Sequence, residues 1–332
     1  MQTDSKRLPV LVIHGGAGTL LRNSMSTEKE GEYLAALERI LSAGEVQLAA
    51  GQSAVDVVVE AVRRLEECEL FNAGHGAVYT AAATHELDAS VMDGSTLQAG
   101  AVAGLTRTRN PVLAARAVMQ HSAHLMFIGA AADAFAARHG LEQVAPDWFG
   151  TAARKEQLQR ALAAEAGVLL DHDAQTLVAA AAKPQGPIDE QAKFGTVGAV
   201  ALDAQGHLAA ATSTGGMTNK QVGRVGDAPI IGAGCYANDA TVAVSCTGTG
   251  EAFMRTLAAH DVSAQMEYLG LDVHSAAKRV VMEKLPRIEG RGGMIAVAAN
   301  GELCMPFNTE GMYRGYVRVG EKPVAAIYGD KA

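Results

Sequence analysis

One threonine stands where a loop-like segment meets a strand-like segment, and it is the residue best placed to do chemistry. Residues 168–195 are rich in Ala, Pro and Gly and have the composition of a loop, whereas residues 196–203 form an apolar run typical of a buried strand. The Gly195-Thr196 bond joins the two segments. If the chain is cleaved there, Thr196 acquires a free α-amine, which can act as the base for its own hydroxyl.

Taken alone, this fragment has a simpler interpretation. Gly-Thr-Val-Gly is a common beginning of a β-strand, because Gly relaxes the turn and the β-branched residues favour extended backbone. Three downstream motifs favour the chemical interpretation. They are Thr-Ser-Thr-Gly-Gly at 212–216, Gly-Arg-Val-Gly-Asp at 223–227 and Thr-Gly-Thr-Gly-Glu at 247–251.

In this order, the motifs resemble those of the plant-type asparaginases, or isoaspartyl peptidases, of the N-terminal-nucleophile hydrolases. The amino-terminal half is similar to the same family in four further segments, at 14–18, 70–74, 86–94 and 98–104. The resemblance extends from about residue 9 to about residue 328. It implies an α+β fold, an αββα four-layer sandwich of two stacked, mainly antiparallel sheets flanked by helices.

The resemblance also implies a single domain, 1–332, that is built from two segments. Autocleavage would divide the chain into an α subunit, 1–195, and a β subunit, 196–332. Residues 168–195 would then be a processing linker and not a domain boundary, which accounts for a long Pro- and Ala-rich loop inside a compact fold. The family assembly would be an (αβ)₂ heterotetramer, a dimer of processed chains.

Hydrophobic periodicity predicts strand-rich and helix-rich blocks on both sides of the linker, with hairpins around the presumed site. A capping pattern at Ser26 precedes one helix, and residues 53–68 predict another. Further helices are predicted at 111–120, 129–139, 151–166, 249–260 and 273–285. Strands are predicted at 8–13, 86–92, 98–105, 196–203, 207–213, 229–235, 241–247, 293–299 and 302–306, the last two being the final strands of the chain.

The proposed nucleophile needs a base and donors for a developing oxyanion. An α-amine has an ordinary pKa of about 7.7–8.0, so a modest depression leaves it neutral and able to take the Thr196 proton. The resemblance implies that Thr214 lies beside the nucleophile and that the Thr247 hydroxyl and Gly248 N–H form the oxyanion hole. It also places Asn72 near the nucleophile, although Asn before Ala-Gly is by default a turn residue.

A pair of opposite charges could hold an amino-acid zwitterion. The Arg224 guanidinium would bind the α-carboxylate through two hydrogen bonds, and Asp227 would bind the α-ammonium. Spacing alone fits a surface ion pair equally well, but the family motifs on either side favour ligand binding. The resemblance implies that the backbone at Gly216 and Gly250 approaches the substrate.

The segment from 65 to 75 resembles the family loop whose backbone carbonyls hold a structural sodium ion. This chain has Glu69 where the family more often has an apolar residue or Pro, and His75 departs in the same way, which matters little if backbone oxygens are the ligands. No catalytic cofactor is expected. The expected sodium ligands are the carbonyls of Leu65, Glu66, Cys68, Phe71, Ala73 and His75.

Composition restricts the function class. The 332 residues are 48% hydrophobic and carry 36 acidic against 28 basic residues, a net charge of −8, with no basic run. We therefore expect no nucleic-acid partner. The four cysteines form no CxxC pair, the apolar run before His14 is too short for a secretory signal, and no window approaches the ~18–20 apolar residues of a membrane span. We expect a cytoplasmic protein that does not bind membranes.

These observations predict an autoprocessing threonine amidohydrolase. It would release L-aspartate from β-aspartyl dipeptides and from L-asparagine through an acyl-enzyme on Thr196, so that its partner is a small molecule or a dipeptide. One alternative is a glycosylasparaginase of the same fold, and the lack of a signal peptide and of paired cysteines weighs against it. Another is an unprocessed, non-catalytic homologue that acts as a binding protein.

Overall fold

A computed structural model of the chain describes residues 8–20, 25–163 and 195–329. The predicted processing linker lies outside the described residues, apart from Gly195. The described strands are β1 (Val10–Gly18), β2 (Leu87–Asp93), β3 (Ala99–Leu105), β4 (Met126–Ile128), β5 (Val197–Leu202), β6 (Leu208–Thr214), β7 (Cys235–Ala237), β8 (Val242–Gly248), β9 (Gly292–Ala298), β10 (Leu303–Cys304), β11 (Gly311–Arg318) and β12 (Val324–Tyr328).

The described helices are distributed along the whole chain and alternate with the strands. They are α1 (Thr27–Ala49), α2 (Ala54–Glu66), α3 (Pro111–His121), α4 (Gly129–Arg138), α5 (Ala152–Ala163), α6 (Gly250–Thr256), α7 (Ala258–Leu269) and α8 (Val273–Lys278). The predicted cap of α1 is confirmed, since the Ser26 hydroxyl accepts a hydrogen bond from Lys29 N at 3.1 Å.

The strands form two sheets. The larger sheet has eight strands in the order β12-β11-β1-β5-β6-β2-β3-β4, and the smaller has four in the order β10-β9-β8-β7. The described pairings are antiparallel except that between β3 and β4. The prediction of an α+β fold with mainly antiparallel sheets is therefore confirmed.

Three apolar cores hold these elements together. Leu37 and Val62, on α1 and α2, pack on one face of the larger sheet. Its other face, which includes Val200 on β5, packs against the smaller sheet through residues such as Ile295 on β9. A third core, which includes Val281, lies between the smaller sheet and the helices α6 to α8.

Several predicted boundaries are wrong for identifiable reasons. The strand predicted at 229–235 is found only at Cys235–Ala237. The preceding residues form a turn, in which Ile230 N donates a hydrogen bond to Asp227 O. The predicted helix at 249–260 is broken at Leu257, whose φ is 47°, and a second helix continues to Leu269.

The carboxyl-terminal part also departs from the prediction. The helix predicted at 273–285 is α-helical only to Lys278, and a π-helical turn covers Arg279–Lys284. The strands predicted at 293–299 and 302–306 are not the last, because β11 and β12 follow them. Two glycines and two arginines interrupt the apolar alternation of β11, which hides it in the sequence. The short strand β4 was also not predicted.

The topology brings three strand ends to one place. Since β5 and β6 are antiparallel neighbours with Val197 opposite Ser213, the residue before β5 lies beside the last residue of β6. Strand β8 of the smaller sheet packs over this pair. Thr196, Thr214 and Thr247 therefore occupy adjoining ends of three strands.

Candidate active site

Thr196 directly precedes β5 and is 7% exposed. Its hydroxyl donates to Thr214 Oγ at 3.1 Å, and the Thr214 hydroxyl donates to the carbonyl of Gly195 at 2.9 Å. Thr214 Oγ also accepts a hydrogen bond from Gly216 N at 3.0 Å. One threonine hydroxyl thus connects the candidate nucleophile with the carbonyl on its own amino side.

Asn72 is a buried member of this site and more than a turn residue. Its Nδ2 donates to the carbonyls of Gly195, at 2.6 Å, and of Gly216, at 2.7 Å, while its Oδ1 accepts from Val78 N at 2.9 Å. The Gly195 carbonyl therefore receives two hydrogen bonds, from Asn72 and from Thr214. Both donors polarise the bond that cleavage would attack.

Thr247 and Gly248 end strand β8. The Thr247 hydroxyl accepts a hydrogen bond from Ala17 N on β1 at 3.3 Å, so its own proton remains available to another acceptor. Gly248 has a φ of 155° and lies so close to Gly292 and Phe253 that a side chain there would collide with both. Glycine is required at this strand end.

Most of the predicted site residues line one pocket. Thr247 adjoins the lining residue Gly248, and Asn72 contacts the carbonyls of the lining residues Gly195 and Gly216. Met217 and Gly226 line it although sequence reasoning did not single them out. The lining residues are Gly195, Thr196, Thr214, Gly216, Met217, Arg224, Gly226, Asp227, Gly248 and Gly250.

Arg224 is oriented by a residue that the sequence analysis did not assign to the site. Its Nε and Nη2 donate to the two carboxylate oxygens of Glu251, each at 2.9 Å. Glu251 therefore occupies one edge of the guanidinium. The expected two-bond contact with a substrate carboxylate is left to the other edge, which carries Nη1. The signal for Glu251 was its place at the end of the Thr-Gly-Thr-Gly-Glu motif.

Asp227 lines the same pocket and is 4% exposed. Burial raises the pKa of its carboxyl to about 7, and the nearby charge of Arg224 opposes that rise. Within the described ranges its Oδ2 has no hydrogen-bond partner. A side chain at Gly250 would lie 3.1 Å from Asp227 Oδ1 and 2.9 Å from Arg224 Nη2, so glycine keeps both charges accessible.

Lys220 is a buried cation beneath the pocket that sequence reasoning missed. Its ammonium donates to the carbonyl of Glu86 at 2.8 Å. A Cβ on Gly216, whose φ is 83°, would lie 2.8 Å from the Lys220 Nζ. Burial lowers the pKa of Lys220, whereas Asp88, which pairs with Thr214 across β2 and β6, opposes that effect. The lysine side chain therefore supports the turn at Gly216.

The predicted sodium loop follows α2. The Glu66 carbonyl accepts from His75 N at 2.7 Å, which closes the loop. A Cβ on Gly76 would lie 2.6 Å from Glu69 O and 2.7 Å from Phe71 O, so two carbonyl oxygens converge where only glycine fits. Hard oxygen donors of this kind suit an alkali cation.

Side chains in this loop do not form a metal cluster. The Glu66 carboxyl is buried away from the loop and accepts from Val112 N at 2.9 Å, and burial raises its pKa to about 8. Over the described ranges, no group of three or more His, Cys, Asp or Glu side chains could hold a metal ion. In the same part of the chain no helix is long and apolar enough to cross a membrane.

The asparaginase family matches residues 7–327. The chain is 57% identical over 322 residues to the isoaspartyl peptidase of Escherichia coli K12, which covers 97% of each protein. It is 41% identical over 312 residues to the probable isoaspartyl peptidase/L-asparaginase 2 of Arabidopsis thaliana, which covers 92% of this chain and 94% of the relative.

The chain belongs to the asparaginase family. It is an enzyme of the hydrolase class, as the predicted resemblance implied.

Proposed function

We propose that the chain is an autoprocessing threonine amidohydrolase that hydrolyses β-aspartyl dipeptides and L-asparagine and releases L-aspartate. The observation that carries the proposal is the contact of Thr196 Oγ with Thr214 Oγ, which in turn donates to the carbonyl of Gly195. The similarity to proteins named isoaspartyl peptidase, or isoaspartyl peptidase/L-asparaginase, supports the choice of substrate.

The first reaction is cleavage of the chain at Gly195-Thr196. Thr196 Oγ attacks the Gly195 carbonyl carbon, and Asn72 and Thr214 donate to the oxygen as it becomes negative. The C–N bond breaks, the nitrogen takes the proton lost by Oγ, and an ester joins Gly195 to Thr196 Oγ. Water hydrolyses this ester, which leaves a Gly195 carboxylate and a Thr196 with a free amine and a free hydroxyl.

The second reaction is turnover of substrate. The Thr196 amine accepts the hydroxyl proton as Oγ attacks the side-chain carbonyl of the substrate. The Thr247 hydroxyl and the Gly248 N–H donate to the tetrahedral oxyanion. The substrate C–N bond breaks, the leaving amine takes the proton, and water then hydrolyses the aspartyl ester on Thr196.

Two buried or half-buried charges would fix the α-end of the substrate. The free edge of Arg224 binds the α-carboxylate, and Asp227 binds the α-ammonium. An ammonium beside Asp227 restores the ionised carboxylate that burial disfavours. With the α-end fixed, one side-chain length places the carbonyl at Thr196.

The proposal extends to the architecture and setting of the enzyme. The two sheets and their flanking helices are assigned to the αββα sandwich of the N-terminal-nucleophile hydrolases. The carbonyls of the loop from Leu65 to His75 would hold a structural sodium ion. The processed chain would assemble as an (αβ)₂ heterotetramer in the cytoplasm.

A substrate panel tests the proposed specificity. Purified protein would be offered β-Asp-Leu, L-asparagine, L-glutamine and N-acetylglucosaminyl-asparagine. We expect the dipeptide to be hydrolysed best, asparagine detectably and glutamine scarcely, because one extra methylene moves the carbonyl away from Thr196. A preference for the glycosylated substrate would favour a glycosylasparaginase, and glutamine turnover equal to that of asparagine would contradict the fixed α-end.

A further inference from the structure

A chain of buried hydroxyls and one imidazole joins the two sheets beneath the candidate nucleophile. In the larger sheet, His14 pairs with Gly198 and Gly198 pairs with Thr212, so these residues form one row across β1, β5 and β6. Ser245 of the smaller sheet lies over Gly198, where any side chain would collide with its hydroxyl. The missing side chain of Gly198 therefore admits a serine from the opposite sheet.

The donors and acceptors in this row can be ordered. Thr212 Oγ donates to the carbonyl of Gly234 at 3.2 Å, because a carbonyl only accepts. Ser245 Oγ, at 2.7 Å from Thr212 Oγ, must then be the donor in that contact. Ser245 in turn accepts from His14 Nε2, at 2.9 Å, so the imidazole carries its proton on Nε2.

His14, the histidine of this hydrogen-bonded row, is a fixed, neutral donor. His14, Thr212 and Ser245 are each fully buried. Burial lowers the pKa of His14 to about 3, and a hydrogen bond with the Thr196 backbone opposes that fall. At neutral pH the imidazole therefore supplies a hydrogen bond and no charge.

The position of the row relates it to the reacting groups. Gly198 is two residues after Thr196, and Ser245 is two residues before Thr247. Residues two apart on a strand face the same side, so the row lies next to the pair formed by nucleophile and oxyanion donor. Besides the contact of His14 with Ser245, strand β1 makes a second hydrogen bond to β8, from Ala17 N to the Thr247 hydroxyl.

We propose that His14, Ser245 and Thr212 are positioning residues that hold the oxyanion-hole strand at a fixed distance from Thr196, and that they serve substrate hydrolysis rather than chain cleavage. This inference rests on the proposed function. The groups that surround the Gly195 carbonyl, Asn72 and Thr214, belong to the larger sheet and its adjoining loop. Thr247 and Gly248 belong to the smaller sheet, so their distance from Thr196 depends on the link between the sheets.

Two pairs of variants test this inference. Thr212→Val keeps the side-chain shape and removes the hydroxyl, whereas Thr212→Ser keeps the hydroxyl. Ser245→Ala removes the hydroxyl that links His14 to Thr212, and Ser263→Ala is its control. Ser263 is also buried and its hydroxyl lies 2.7 Å from Thr241 Oγ, beside the other end of β8, so its alanine variant loses one buried hydrogen bond where Ser245→Ala loses two.

Denaturing mass spectrometry would follow cleavage of the chain. Steady-state kinetics with β-Asp-Leu would give kcat and KM, and thermal unfolding would report on folding. We expect Thr212→Val and Ser245→Ala to be cleaved at the wild-type rate, with kcat reduced about tenfold to a hundredfold and KM changed less than about twofold, because the α-end contacts stay intact. Thr212→Ser and Ser263→Ala should keep the wild-type kcat. Thermal unfolding should show a loss of stability in both alanine variants, and a larger loss in Ser245→Ala, whose hydroxyl makes two buried hydrogen bonds.

A wild-type kcat in Thr212→Val and Ser245→Ala would overturn the inference. So would an equal fall of kcat in Ser263→Ala, since it would attribute the effect to lost stability, and so would slowed cleavage in both row variants. Failure of the proposed function is distinguishable, because the wild-type protein itself would then remain uncut or inactive.

Discussion

Glu251 accepts two hydrogen bonds from Arg224, at 2.9 Å from both Nε and Nη2, and so fixes the plane of the guanidinium at the edge of the candidate pocket. Arg224 is 17% exposed in its side chain and Glu251 is 49% exposed. A surface ion pair of this exposure contributes little to stability. Its consequence is orientation, because the remaining edge of the guanidinium faces the pocket that also contains Asp227.

Removal of Glu251 should therefore affect substrate binding more than folding. In Glu251→Ala we expect KM for β-Asp-Leu to rise about tenfold, the equivalent of ~1.4 kcal/mol, because a freely rotating Arg224 loses the alignment that a planar fork requires. Glu251→Gln, which retains one acceptor, should show a smaller rise. Steady-state kinetics with thermal unfolding as a control would measure both. An unchanged KM in Glu251→Ala would contradict the orienting role.

The planar fork of Arg224 can be tested separately from its charge. Arg224→Lys keeps the positive charge and loses the fork, so kcat/KM for β-Asp-Leu should fall by more than about tenfold. Cleavage at Gly195 should continue, since Arg224 makes no described contact with Asn72 or Thr214. Unchanged kinetics would mean that the substrate carboxylate binds elsewhere.

Asn72 should matter first for cleavage of the chain. In Asn72→Ala the Gly195 carbonyl loses one of its two donors, and the loss of one oxyanion donor costs about 10²–10³ in rate. The time course of cleavage, followed by mass spectrometry, would measure this. Asn308→Ala is a matched control, because Asn308 Nδ2 also donates to two buried carbonyls, those of Val281 and Gly290. Equal cleavage rates in the two variants would contradict the role of Asn72.

The protonation of Asp227 predicts a pH dependence. The substrate ammonium needs an ionised carboxylate, and burial raises the pKa of Asp227 to about 7, so kcat/KM should increase as pH rises through about 7. The effect on folding has the opposite sign. A raised pKa gives stability below the ordinary pKa of the carboxyl, and that stability is lost as pH rises through about 7.

Asp227→Asn separates the two effects. It should raise the melting temperature at pH 8, where the wild type carries a buried charge, and it should abolish tight binding of the substrate α-ammonium. A melting temperature at pH 8 that is unchanged or lower, measured alongside that at pH 5, would show that the carboxylate is better accommodated than its burial indicates.

Local sequence patterns predicted much of this molecule because the relevant information is local. The apolar run after Thr196 and the glycines around Arg224 and Thr247 mark strand ends and turns directly. The α+β class was implied by the family resemblance, and the alternation of strand-rich and helix-rich blocks agreed with it. Strand β11 was not predicted because Gly and Arg residues interrupt its alternation of apolar and polar residues. The break in the helix at Leu257 depends on a left-handed backbone conformation that no local sequence signal predicts.

Contacts between distant segments could not be read from the sequence. Glu251 and Arg224 form a hydrogen bond although they are 27 residues apart in the sequence, and Ser245 and His14 do so at a separation of 231 residues. Lys220 is buried although lysine is ordinarily exposed, because it lies beneath Gly216 and finds a carbonyl of another segment. Such pairs are set by tertiary packing and not by any repeating pattern along the sequence.

The most direct test of the account is the intact mass of the purified chain together with its activity. The wild type should yield one fragment that ends at Gly195 and one that begins at Thr196, and it should hydrolyse β-Asp-Leu. Thr196→Ala should remain a single inactive chain, whereas Thr196→Ser, which keeps a hydroxyl, should still be cleaved. A wild-type protein that stays at 34.4 kDa and still hydrolyses the dipeptide would contradict the assignment of Thr196 as an amino-terminal nucleophile.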